Sequence, residues 1–72
     1  DELVSLHETT QLLHRNLGEE QKAEIVRLLW EVAYADGQLD KYEDSLVLKI
    51  SDLLYVSRGR VMGLKYEVSR GR

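Results

Sequence analysis

The sequence predicts an all-α fold, a small helical bundle of three main helices with a weaker fourth helix at the C-terminus. Three observations support this prediction. Apolar residues recur at spacings of three and four along most of the chain, which is the period of a helix. The chain contains no proline, and its five glycines lie mainly near the ends of the predicted helices. Residues 1–72 are predicted to form a single helical domain.

The first helix is predicted from about Glu2 to Asn16. We expect Asn16 or Gly18 to end it, because either residue can adopt the left-handed backbone conformation found at helix ends. One stripe of this helix should face the rest of the bundle, and it comprises Leu3, Leu6, Thr10, Leu13 and Leu17.

The second helix is predicted from Glu19 to about Ala35 and is apolar nearly all round from Ile25 onward. Such a helix should be buried on most sides, and two or three neighbours in so short a chain can hardly cover it. We therefore expect the surface around Trp30 to pack against a second copy of the chain, against another protein, or against a missing N-terminal half of the same protein. The expected interface residues are Val26, Trp30, Ala33 and Tyr34.

The third helix should begin after Asp40 and end near Tyr55. Asp40 and Glu43 have the spacing of a reciprocal N-terminal cap, in which each side chain accepts a backbone N–H of the first turn. The buried stripe of this helix is predicted to be Leu46, Val47, Ile50, Leu53 and Leu54.

A fourth helix is predicted after Ser57, which is a suitable N-cap. Its buried residues should be Val61, Leu64 and Val68. Gly59 and Gly63 should each weaken this helix by about 1 kcal/mol relative to alanine. These glycines are the reason for expecting it to be less stable than the other three.

Composition excludes several classes of protein. The absence of cysteine rules out disulfides and favours a cytoplasmic location. No apolar run approaches the ~20 residues of a membrane span, so no membrane association is expected. An isoelectric point near 5.3 disfavours nucleic-acid binding.

The segment from Asp36 to Asp44 is the candidate functional site. It carries four carboxylates and one lysine, a local charge of −3 that equals the net charge of the whole chain. The remaining residues balance at nine acids and nine bases. The negative charge of the protein is therefore concentrated in the turn between the second and third helices.

The acidic segment also matches the second half of a calcium-binding EF-hand loop. Asp36, Gly37, Asp40 and Glu43 fall at loop positions five, six, nine and twelve, whereas positions one and three lack carboxylates. A complete EF-hand is excluded, but a partial site that binds Ca²⁺ or Mg²⁺ weakly, with a dissociation constant of about 10⁻⁴–10⁻³ M, remains open. The candidate metal ligands are Asp36, Asp40, Glu43 and Asp44.

Local capping explains most of these identities without a metal ion. Asp40 and Glu43 can satisfy the first backbone N–H groups of the third helix, and Asp36 with Gly37 can end the second. Asp44 is the acid that capping explains least, although an acid in the first turn also favours the helix dipole. Both interpretations remain open from the sequence.

No other residues form a pattern typical of catalysis. His7 and His14 are seven residues apart, about 10.5 Å along a helix, which is too far to share one ion. There is no nucleophile elbow and no glycine-rich phosphate loop. The sequence therefore predicts a protein that is not an enzyme.

The segment from Leu29 to Gly37, followed by Leu39-Asp40, Glu43 and Leu53-Leu54, resembles the TerB-like family named for tellurite resistance. This resemblance implies an all-helical cytoplasmic domain in bacteria, linked to stress from tellurite and other toxic agents. It also implies acidic residues proposed to bind a divalent metal. Because family members are usually about twice this length, the resemblance implies that the chain is the C-terminal half of a longer domain.

Two functional hypotheses follow. The first is a tellurite- or stress-response accessory module whose acidic turn binds a divalent cation. The second is a structural protein–protein interaction module, such as a dimerisation domain, that binds no metal. Neither hypothesis includes enzymatic activity.

Overall fold

A computed structural model describes the backbone of residues 2–71 and the side chains of residues 4–71. It contains four helices, α1 (Glu2–Asn16), α2 (Glu19–Ala33), α3 (Lys41–Leu53) and α4 (Arg58–Arg70). The described part of the chain has no β-strand, so the predicted all-α bundle is confirmed. None of these helices is long and apolar enough to cross a membrane.

The fourth helix is a full member of the bundle, and its lower stability relative to the other helices stays a prediction. It spans 13 residues, and the Ser57 hydroxyl accepts a hydrogen bond from the N–H of Arg60 at 3.3 Å, as predicted for the N-cap. Val61, Leu64 and Val68 are all buried, which confirms the predicted stripe. α2 packs more extensively against α4 than against any other helix.

The burial of α2 by α4 also corrects the argument that placed Trp30 at an interface. Trp30 is fully buried within this chain, and Val26 and Ala33 are buried beside it. Only Tyr34 of the four expected interface residues is half-buried. The fourth helix covers more of α2 than the length of the chain predicts.

Trp30 is held by specific contacts to α4, and one of its contacts, Lys65, also binds α3. Its Nε1–H donates a hydrogen bond to the carbonyl of Val61 at 3.0 Å, which satisfies the buried indole nitrogen. The Lys65 ammonium lies 5.2 Å from the centroid of the indole ring. Asp44 accepts a hydrogen bond from the same ammonium at 2.7 Å. Trp30, Lys65 and Asp44 thus connect α2, α4 and α3.

The α1–α2 connection differs from the expected left-handed helix end. Gly18 has φ −82°, and no residue from 2 to 36 has a positive φ. Instead the Asn16 side-chain amide donates to the carbonyl of Leu12 at 2.7 Å. The Gln21 side chain accepts the N–H of Gly18 at 2.9 Å and so caps the start of α2.

The left-handed residue at the end of α3 is Tyr55, with φ 63°. The N–H of Tyr55 donates to the carbonyl of Asp52, and the N–H of Val56 donates to the carbonyl of Ser51. These two bonds form a Schellman motif, in which glycine usually occupies the position of Tyr55. The Tyr55 ring lies 4.4 Å from the imidazole of His14, so α1 packs over this helix end.

A buried lysine completes the contact between α1 and α2. Lys22 is only 4% exposed, and its ammonium lies 2.6 Å from Nδ1 of His14. In the tautomer of His14 that leaves Nδ1 without a proton, this nitrogen can accept a hydrogen bond from the ammonium. This pair was not predicted from the sequence.

The bundle is a thin slab. Its Cα atoms extend over 32 × 27 × 16 Å. Helix axes pack 8–10 Å apart, so 16 Å corresponds to about two layers of helices. A two-layer slab leaves one side of each helix open to solvent, and on α2 that side carries Leu28 and Val32, which are 55% and 71% exposed.

Candidate functional site

The turn after α2 depends on the backbone freedom of one glycine. The N–H of Gly37 donates to the carbonyl of Tyr34 at 2.9 Å and closes a four-residue turn. Gly37 has φ +87°, a conformation that other residues rarely adopt. The predicted sharp Ala-Asp-Gly turn between two helices is therefore confirmed.

Three of the four predicted metal ligands lie around one open pocket at this turn. Asp36, Asp40 and Glu43 line it together with Gln38, Leu39, Tyr42 and Leu46, and its volume is about 580 Å³. We call this the acidic pocket. Asp44 does not line it, because its carboxylate is bound to Lys65.

The capping prediction is correct for Asp40 and wrong for Glu43. Asp40 Oδ1 accepts the N–H of Tyr42 at 2.8 Å, as expected for an N-cap. The Glu43 side chain makes no reciprocal bond to the backbone of Asp40, and no ion pair or hydrogen bond engages the side chains of Asp36 or Glu43 within residues 4–71. The acidic pocket therefore contains two carboxylates that have no partner from the described part of the chain.

These carboxylates do not form a metal-binding cluster. Within the described residues, no group of three or more His, Cys, Asp or Glu side chains is arranged to hold a metal ion. One predicted ligand caps a helix and another forms an ion pair, and each of these bonds uses one carboxylate oxygen. The four predicted ligands are thus near one another in sequence but are not assembled as a metal site.

An apolar groove between α2 and α3 adjoins the acidic pocket. Its volume is about 100 Å³, and it is lined by Leu29, Val32, Ala33, Glu43, Leu46, Val47 and Ile50. We call this the α2–α3 groove. It shares Glu43 and Leu46 with the acidic pocket, so the two depressions form one continuous surface.

The apolar residues at the edge of the groove are functional candidates that were not predicted from the sequence to form an exposed surface. Val32 is 71% exposed and Leu46 is 37% exposed, although Leu46 was predicted to be buried. Val32 lies about 200° around the helix from Trp30, since each residue turns the chain by 100°. Once Trp30 is placed in the core, the same periodicity puts Val32 on the opposite side of α2. The periodicity of α2 therefore shows both apolar faces, and Val32 can be identified as exposed once it is known which face α4 covers.

The volume of the groove indicates the kind of ligand it suits. Small-molecule pockets usually measure about 300–1,000 Å³ and are concave, and this groove is smaller. Shallow apolar grooves between helices commonly receive side chains from another protein segment. The groove therefore suits one or two apolar side chains better than a whole small molecule.

The family model described as "Tellurite resistance protein TerB" matches residues 1–65 of the chain. No curated protein and no solved structure is significantly similar to it. The match extends over nearly the whole chain and does not support the narrower assignment to a C-terminal half. The resemblance found from the Ala-Asp-Gly turn and its flanking helices is thus confirmed, and the chain belongs to the tellurite resistance protein TerB family.

Proposed function

We propose that this chain is a non-enzymatic, cytoplasmic module of a tellurite- or stress-response system and that it acts by binding another protein at the α2–α3 groove. The family assignment supports the stress-response role. One observation supports the binding role: an exposed apolar groove lies on the open side of the slab and continues into the acidic pocket.

Burial and exposure distinguish this binding face from the core. Trp30 and Val26 are inaccessible to a partner, whereas Val32 is exposed within a groove of apolar neighbours. Exposed apolar surface that is contiguous and rimmed by polar groups is typical of interaction sites. Val32 and Leu46 are therefore the residues through which the proposed partner is contacted.

We expect the double substitution Val32→Asn/Leu46→Gln to abolish protection against tellurite without unfolding the protein. Both side chains are partly solvent-exposed, so their loss should change the stability of the bundle far less than the loss of a buried residue. The measurement is survival on tellurite of a host strain that lacks the gene and is complemented with each variant. Thermal unfolding of the purified variant is recorded in parallel.

The matched control is Leu12→Gln/Met62→Asn, which removes two exposed apolar side chains from α1 and α4. Control cells should survive as well as cells with the unchanged protein. Equal survival of groove and control variants would contradict binding at the groove. A deletion strain that is no more sensitive to tellurite than its parent would contradict the stress-response role itself.

A second candidate function, weak binding of a divalent cation, is favoured by the two unpartnered carboxylates of the acidic pocket. Asp36 and Glu43 lie around the same pocket as the carboxylate of Asp40. In the described structure they are not arranged as a three-ligand site, so water would have to supply most of the coordination shell. The binding should then be no tighter than the weak end of the EF-hand range, about 10⁻⁴–10⁻³ M.

Calorimetric titration with Ca²⁺ and with Mg²⁺ tests this second function. The unchanged protein should release or absorb heat with a midpoint near millimolar metal, and Asp36→Asn/Glu43→Gln should not. The control Glu8→Gln/Glu19→Gln removes two exposed acids from outside the pocket and should leave the heat unchanged. Absence of heat with the unchanged protein would reject the metal function and leave the protein-binding function untouched.

A further inference from the structure

We infer that the partner of the α2–α3 groove is a basic amphipathic helix, whose apolar side chains enter the groove while a lysine or arginine enters the acidic pocket. This inference rests on the proposed protein-binding function and specifies the chemistry of the partner. It is carried by the continuity of an apolar groove with a pocket of uncompensated negative charge.

The apolar part of the surface fits a helix of about two turns. On α3 the groove extends from Glu43 to Ile50, a rise of about 10.5 Å at 1.5 Å per residue. A docked helix presents two apolar side chains, at positions i and i+3 or i+4, within this distance. Val32 and Leu46 form the exposed edges against which these side chains would pack.

The acidic pocket gives the partner its charge. Asp36 and Glu43 have no cation or backbone donor from the described residues, and Asp40 adds a third carboxylate. Lys41 is the only basic residue between Asp36 and Asp44. A cationic side chain at the end of a docked helix would supply the missing donors, and Glu43 is placed to contact both parts of such a ligand because it lines both depressions.

The exposed acids of α2 do not extend this negative surface along the groove. Glu31 lies on the side of α2 that faces α4, where it forms an ion pair with Arg27 at 3.8 Å and lines a depression with Glu67 and Val68. On the α3 side, Lys49 lines a further depression with Tyr42, Ser45 and Leu46, and this depression shares Leu46 with the groove. The charge complementarity of the proposed partner therefore depends on the carboxylates of the acidic pocket.

The test uses two synthetic 15-residue helical peptides as probes and the full chain as the receptor. Both peptides carry leucine at i, i+3, i+4 and i+7, and they differ only in whether the last two turns contain lysine or glutamate. Binding is followed by fluorescence anisotropy of a labelled peptide at low and at physiological salt. The lysine peptide should bind at least tenfold more tightly than the glutamate peptide, and added salt should reduce this difference.

Three variants assign the binding to the proposed surface. Asp36→Asn/Glu43→Gln and Val32→Asn/Leu46→Gln should each weaken binding of the lysine peptide about tenfold or more, whereas Glu8→Gln/Glu19→Gln should not.

Equal affinity for the two peptides, no effect of Asp36→Asn/Glu43→Gln, or no binding of either peptide would overturn the inference. Sedimentation that shows a dimer disrupted by Val32→Asn/Leu46→Gln would identify a second copy as the occupant and would also overturn it. If any of these results is obtained while cells with the groove variant Val32→Asn/Leu46→Gln still fail to survive on tellurite, the proposed function stands. Only the basic helical partner is then rejected.

Discussion

Trp30→Ala is expected to leave most of the protein unfolded at 25 °C. The indole is completely buried and hydrogen-bonded to the carbonyl of Val61, and truncation of such a side chain costs about 3–5 kcal/mol because a cavity remains. A domain of this size rarely has more than about 3–5 kcal/mol of net stability. The helical signal in far-ultraviolet circular dichroism, followed through a urea titration, measures the loss.

Two further variants separate the loss of the ring from the loss of its hydrogen bond. Trp30→Phe keeps an aromatic ring in the core but removes the donor to Val61, so the protein should remain folded and lose about 1–2 kcal/mol. Tyr66→Ala removes an aromatic ring that is 62% exposed, and its free energy of unfolding should change by about 0.5 kcal/mol or less. A Trp30→Ala protein as stable as Tyr66→Ala would contradict the burial of the indole by α4.

Gly59→Ala/Gly63→Ala is expected to raise the free energy of unfolding by about 1–2 kcal/mol. Both glycines lie in α4, and a methyl group added at either position meets no atom within 4 Å. Alanine favours the helix by about 0.8–1.0 kcal/mol over glycine in a helix interior, and the gain is smaller at Gly59, in the first turn. In a domain this small, each kcal/mol raises the melting temperature by roughly 4–8 °C, which calorimetry can resolve.

The same substitution at Gly37 is the natural control for the glycines of α4. No atom obstructs a methyl group there either, but the residue has φ +87°. Gly37→Ala should therefore destabilise the protein by about 1 kcal/mol or more, because alanine is strained in that conformation. A stability gain at Gly37, or a loss at Gly63, would contradict the backbone conformations described above.

The helices were predictable because their signals are local. Periodicity located all four, and the capping residues Asp40 and Ser57 fixed two of the helix starts. A cap involves only neighbouring residues, so its chemistry can be read directly from the sequence. The left-handed end of α3 was not predicted, because its local signal is missing: Tyr55 occupies the position where glycine usually marks such a helix end.

The candidate site was only partly predictable because its parts depend on distant helices. The Ala-Asp-Gly turn and its negative charge are properties of one short segment, and both were found. The role of Asp44 was not, because its partner Lys65 follows 21 residues later on α4. The exposed apolar side of α2 was assigned to Trp30 instead of Val32 because periodicity defines two apolar faces and cannot say which one a later helix will cover.

The pairing of α2 with α4 has a consequence for how the chain folds. The hydrogen bond from Trp30 to Val61 joins residues 31 positions apart, so the centre of the core cannot form from adjacent helices alone. A loop that contains the acidic turn and all of α3 must close first, at an entropic cost that neighbouring helices in an up-and-down bundle avoid. Docking of the indole is therefore the long-range step of folding, but its cost is modest, since each doubling of loop length adds only about 0.6 kcal/mol.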